Sequence, residues 1–155
     1  MVGQSGLKVC ALAAWLAWAG AAAAHGKAVA AGAMEDAAKA FGPGARLTQL
    51  DPAGKPGAIA WYYAAGKDGA RVGLVGVAKE ETEHGYLAQA TCLDMEKKII
   101  AVILLRAMAD EQGALARLTQ TPRWWEPGAV ENPSGAALVL IKSVRKVKDA
   151  AAGVP

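Results

Sequence analysis

Ile59-Ala60-Trp61-Tyr62-Tyr63-Ala64, Gly66-Lys67-Asp68-Gly69 and Arg71-Val72-Gly73-Leu74-Val75-Gly76-Val77 form the stretch on which the fold turns. Aromatic and β-branched residues fill both arms, and a glycine-bounded polar turn separates them. That pattern predicts an antiparallel hairpin. Two more strands are expected after it, Tyr86 to Leu93 and Ile99 to Leu105, joined by the polar turn Asp94-Met95-Glu96-Lys97-Lys98. The second of these is almost continuously apolar, which predicts a central place in the sheet. Between the hairpin and these strands, Lys79 to His84 holds Glu80, Glu81 and Glu83 and reads as a charged link broken by Gly85. Upstream, Ala45 to Gly57 carries breakers at Pro52, Gly54 and Pro56 and reads as a loop.

Helices are expected at both ends of this β-rich middle. From Lys27 to Phe41, the residues Ala30, Ala33, Met34, Ala37 and Phe41 recur at helical spacing, and Gly42-Pro43-Gly44 stops the run. A short helix from Asp110 to Leu118 is weakened by Gly113. At the C-terminal end Ala137, Leu140, Ile141, Val144, Val147 and Ala151 share one helical stripe, with Ser134 as N-cap. Ala137 to Ile141 alone would also fit a strand. The helix is favoured because Lys142, Arg145, Lys146 and Lys148 then fall toward its C-terminal half, where the dipole suits cations. Thr121 to Pro133, with Trp124-Trp125 in its middle, reads as irregular. The expected class is α+β, a twisted, mostly antiparallel sheet of about four or more strands flanked by N- and C-terminal helices.

The first two dozen residues read as an export signal rather than as fold. Lys8 precedes an apolar run, Val9 to Ala24, that ends on the small residues a signal peptidase needs. The run is too short, and too soon followed by Gly26 and Lys27, to favour a permanent span. Residues 1–24 are therefore assigned to a signal peptide and 25–155 to a single domain, periplasmic or otherwise exported. A retained N-terminal anchor is the alternative. Cys10 has no small-residue pair just before it, which argues against a lipid anchor.

Cleavage would leave 155 − 24 = 131 residues, enough for one modest core. Only Cys92 would remain, so no internal disulfide could form. The formal charge would fall from +3 to +2 with the loss of Lys8. That balance, with no aromatic-interleaved basic stripe, gives no reason to expect a nucleic-acid partner.

Candidate chemistry concentrates at Glu131-Asn132-Pro133-Ser134-Gly135-Ala136-Ala137. If Ser134 caps a helix, the amides of Gly135, Ala136 and Ala137 are unpaired donors of the kind that bind phosphate. Gly135 would let a ligand close to the backbone. On sequence physics alone an ordinary capped helix with glycine at a turn is the favoured reading, because Ser-Gly-Ala is common and short.

Three stretches carry a resemblance to a known family. Gly85-Tyr86-Leu87-Ala88-Gln89-Ala90 resembles a Gly-Tyr-Gly-Gly-x-Ile strand. The apolar strand from Ile99, followed by Glu111-Gln112-Gly113-Ala114-Leu115, resembles the approach to a Glu-Thr-Pro-Gly-Leu-Gly loop. Glu131 to Ala137 resembles a terminal Asp-x-x-Ser-Gly-Ala-Thr motif. In this order they resemble the FMN-binding domain family, which includes the periplasmic flavin-carrying domains of sodium-translocating NADH:quinone reductase and of Rnf-type electron-transport complexes. The resemblance spans roughly Ile59 to Asp149.

It implies an FMN-binding-domain-like fold, an electron-transfer role beside a membrane-associated redox protein, and a cofactor site. The residues that the resemblance brings to that site are Ser134, Gly135, Ala136, Ala137, Glu111, Gly113 and Leu115, with Trp124 available to stack on or shield a ring. In many members the motif's threonine carries FMN through a phosphoester. Ala137 stands there in this chain and offers no hydroxyl, so FMN would be held non-covalently. A flavin-free binding or accessory module that keeps the fold is the competing expectation.

The remaining reactive side chains read as structural. His84, among Glu80, Glu81 and Glu83, is a weak metal signal, as is His25 at the expected new N-terminus. Cys92 sits in a predicted strand with no histidine near in sequence and reads as a buried, inert thiol. Asp110 and Glu111 are explained by a helix first turn. No catalytic residue is assigned, and the chain is not committed to being an enzyme.

Overall fold

The computed structural model describes residues 33–50 and 59–155. The expected signal peptide, Cys10, His25, residues 27–32 of the first expected helix and residues 51–58 lie outside the described residues. The described elements are α1 (Ala33–Lys39), β1 (Arg46–Gln49), β2 (Ala60–Ala65), β3 (Arg71–Thr82), β4 (Gly85–Asp94), β5 (Ile99–Arg106), α2 (Gln112–Thr119) and α3 (Gly135–Ala151). A 3₁₀ turn, Ala109–Glu111, leads into α2. The strands form one antiparallel sheet in sequence order, β1 to β5, so the protein is α+β as the sequence predicts.

Local chemistry sets the turns. In the β2–β3 hairpin, the Gly66 amide donates to the Ala70 carbonyl, the Asp68 carboxylate accepts from the Ala70 amide, and Gly69 takes a φ of 85°. In the β4–β5 turn, Asp94 Oδ1 accepts from the amides of Glu96 and Lys98. β3 and β4 pair from Gly73↔Asp94 to Thr82↔Gly85, which leaves Glu83 and His84 as a two-residue turn.

Helices cover both faces of the sheet. The Cys92 thiol donates to the Ala37 carbonyl of α1, while Gln89 Nε2 donates to Ser143 Oγ of α3. Residues 89 and 92 differ by an odd step along β4, so they point to opposite faces. One core therefore joins Ala33 and Ala37 to Val75, Val77, Ala88, Ala90 and Cys92. The other joins α3 to Leu87, Leu115, Leu118 and Trp124. Leu140, Val144, Val147 and Ala151 make the buried stripe of α3, each fully enclosed. Burying one such leucine or valine contributes about 1.5–3 kcal/mol. Within this second layer Thr91 Oγ1 donates to Gln89 Oε1 at 2.6 Å, so the polar trio Thr91, Gln89 and Ser143 is internally satisfied.

Three sequence expectations need correction. The stretch read as a loop from Ala45 to Gly57 contains β1, a four-residue edge strand whose exposure alternates. The charged link is absent, because β3 runs on to Thr82. Two of its charges have partners on other elements: Lys79 Nζ lies 4.1 Å from the Tyr86 ring centroid, and Glu80 accepts from Lys146 Nζ of α3 at 2.6 Å. Third, β5 is an edge strand and not a central one. Its apolar run has a different cause. Ala101 and Ile103 pack into the α1-side core while Val102 and Leu104 pack into the α3-side core, so both faces are covered although no described strand pairs with its second edge.

Burial also fixes the state of the one described thiol. Cys92 is fully enclosed, and desolvation pushes its pKa from the ordinary 9.0 to about 12. The native thiol stays protonated where an unfolded chain's thiol ionises. Stability from this group is therefore complete below about pH 9 and falls as pH rises toward about 12. Alkylation by iodoacetamide at pH 8, read at Cys92 by peptide mass mapping, is expected only after denaturant is added. Rapid labelling of the native protein would contradict the enclosed position.

Candidate functional site

The start of α3 is built by a chain that turns repeatedly before it becomes helical. Arg123, Gly128, Asn132 and Gly135 all adopt positive φ, at 53°, 77°, 44° and 57°. Ser134 is extended, at φ −139° and ψ 165°, and occupies the position before the helix. It makes no side-chain cap hydrogen bond, so the expected cap is present in position but not in bonding. The left-handed step at Gly135 separates Ser134 from the first right-handed turn. Ser134 and Gly135 are exposed, and a Cβ built on Gly135 would meet nothing within 4 Å. The first amides of a helix have no carbonyl partner within it. Of these residues, Gly135 borders open space.

The neighbouring residues form a packed floor. Leu115 and Trp124 are buried, at 0% and 4% exposure, in the same cluster as Leu140 and Val144. Ala136 and Ala137 are half-buried and pack against that cluster. Trp124 and the half-buried Trp125 meet edge to face, with centroids 5.5 Å apart. Arg145 Nε of α3 donates to the Trp125 carbonyl at 2.8 Å, and Arg123 pairs with Glu126 within the loop. These bonds hold the tryptophan loop against α3.

Of the residues expected at a site, the structure brings Leu115, Trp124, Ala136 and Ala137 into one cluster. Ser134 and Gly135 stand at its exposed rim. Gly113 is exposed on α2, with nothing within 4 Å of a built Cβ. Glu111 is different: it is 7% exposed, and its carboxylate accepts from Thr82 Oγ1 at 2.7 Å. That bond ties the turn before α2 to the end of β3. Thr82 could not be picked out in sequence, because its role depends on β3 continuing past Val77.

His84 Nδ1 lies 3.9 Å from Asp110 in an exposed pair, and no cluster of three or more His, Cys, Asp or Glu side chains gathers among the described residues. No helix among the described residues is long and apolar enough to cross a membrane. Comparison with known proteins finds no matching family model, no matching curated protein and no matching solved structure.

Proposed function

We propose that the protein is an exported FMN carrier that holds its flavin non-covalently and exchanges electrons with a membrane-associated redox protein. The observation that carries this reading is the turn at Gly135. An exposed left-handed glycine, open space around it and an uncapped helix start present backbone donors and the positive end of the α3 dipole to an incoming phosphate. Ala136 and Ala137 just after it pack on the buried cluster of Leu115 and Trp124, which fixes the helix start in place. The resemblance of residues 85–90, 111–115 and 131–137 to the FMN-binding domain family supports the same end of the fold. FMN would supply the redox chemistry, and the chain's part is to position it and exclude water. Ala137 leaves no hydroxyl for the phosphoester.

A flavin-free accessory module is the second reading. It is favoured by the burial of Leu115 and Trp124 within the chain's own core, which needs no ring to cover them.

FMN titration of the purified protein separates the two. Saturable, roughly one-to-one uptake is expected, with absorbance at about 450 nm. Riboflavin, which lacks the phosphate, should bind at least about tenfold more weakly, the cost of losing charge-assisted hydrogen bonds. A colourless protein that ignores added FMN sinks the flavin reading. Ala137→Thr, co-expressed with a flavin transferase, should gain the mass of one FMN moiety. Absence of that adduct would argue against a preserved attachment motif.

A further inference from the structure

Arg106, the last residue of β5, is 3% exposed, and its Nε, Nη1 and Nη2 are all buried without a hydrogen-bond partner. A guanidinium carries five donors and an effectively permanent charge. Leaving such a group unpaired in the interior is among the most costly arrangements a fold can contain. No described residue supplies a hydrogen-bonded counter-charge at this point, and a group from outside the chain would meet that need.

The sequence narrows the possibilities. Of its 14 acidic residues, none lies in residues 1–32, and Asp51 is the one acidic residue outside the described stretches. None of the other 13 bonds Arg106. No carboxylate among the described residues pairs with Arg106.

The register shows what surrounds it. Arg106 pairs with Ala88, and Ala88 pairs with Lys79, so the three form one row across β5, β4 and β3. Paired residues share a face, and Ala88 belongs to the core that contains Ala33 and Ala37 of α1. The pairing shifts between Ala88 and Gln89, and this irregularity sets Arg106 in that row. Two cations thus flank one methyl side chain. Glu81, two residues beyond Lys79 on the same face, is exposed and makes no pair with either. Residues 134–137 belong to the opposite, α3-side layer.

We propose that Arg106 anchors a second ligand site, specific for the oxyanion of a small molecule (a phosphoryl or carboxylate group), on the α1 face of the sheet. The guanidinium fork binds the oxyanion through paired N–H donors, and Lys79, on the other side of Ala88 in the row, supplies the second positive charge. This site is independent of the flavin reading and stands or falls without it.

Thermal unfolding of the purified chain tests it, with inorganic phosphate and acetate each titrated against chloride at matched ionic strength. At least one oxyanion should raise the midpoint saturably by about 3–5 °C over chloride. A rise with phosphate alone identifies a phosphoryl ligand, and one with acetate alone a carboxylate. Arg106→Met should abolish the rise and, having lost an unpaired buried charge, melt above the wild type in chloride. Lys79→Met should weaken the response without removing it. The inference is overturned by a wild type that responds to neither anion. It is equally overturned by a full response in Arg106→Met, which would place the anion elsewhere, for example at the start of α3. Should Arg106→Met fail to fold, Arg106→Lys takes its place, and an affinity equal to wild type would then count against the fork.

Discussion

Gly76→Val is expected to cost about 3 kcal/mol or more, at the upper end of overpacking penalties and a large share of an ordinary domain's 5–15 kcal/mol. Gly76 lies in the middle of β3 and faces α3. A Cβ built there would overlap Val147 Cγ1 and stand 2.8 Å from Trp61 Cζ3. Neither neighbour can retreat cheaply: Val147 is fully buried on α3, and Trp61 pairs directly with Gly76 across β2–β3. A valine adds two more carbons to that overlap, so α3 would have to lift from the sheet. Urea unfolding followed by circular dichroism measures the loss. The control is Gly113→Ala, where a Cβ meets nothing and the helix gains about 0.5–1 kcal/mol. If Gly76→Val stays within 1 kcal/mol of wild type, α3 does not pack where the structure has it.

Leu140→Ala should be comparably damaging, with a loss of about 2–5 kcal/mol. Leu140 is fully buried, in one cluster with Leu115, Trp124 and Val144. Removing three carbons there leaves a cavity whose walls belong to three separate elements, which limits collapse. The exposed Lys142, two residues away on the same helix, gives the comparison: Lys142→Ala should change stability by no more than about 0.5 kcal/mol. Equal effects of the two substitutions would mean that the stripe Leu140, Val144, Val147 and Ala151 is not the buried one. Since Leu140 supports Ala136 and Ala137, its loss should also weaken any FMN uptake more than its stability cost alone explains.

Those same residues show which parts of the fold are readable in sequence. The stripe on α3 is visible because four apolar positions at spacings of three and four can only share one side of a helix. The β2–β3 hairpin is visible because its turn chemistry is local. β1 and the last five residues of β3 escape for the opposite reason. Arg46 to Gln49 has no pattern of its own beyond edge pairing. Lys79 to Thr82 looks like solvent-exposed link until Tyr86, Lys146 and Glu111 arrive from elsewhere to satisfy it. The position of β5 misleads because a strand covered on both faces has the same composition whether or not it has two neighbours. At the candidate site, the helix start at Ser134 to Ala137 is legible, but the left-handed step at Gly135 and the missing cap bond are not. Arg106 carried no signal at all, since the absence of a partner is a property of three dimensions.

The tail of the chain has a mechanical consequence. Lys97, at the tip of the β4–β5 turn with φ 64°, donates to the carbonyls of Ala151 and Val154 at 2.8 and 2.5 Å. Arg71 and Tyr63 both donate to the Pro155 carbonyl, and the Arg71 guanidinium lies 3.6 Å from the Tyr63 ring centroid. Residues 151–155 are therefore fastened to two different hairpins at once. A pull applied at Pro155 would load strands β2, β3 and the β4–β5 tip in parallel before it could peel α3 turn by turn. The last five described residues act as a tie-rod across the end of the sheet, and tension arriving there is shared by two hairpins instead of one helix.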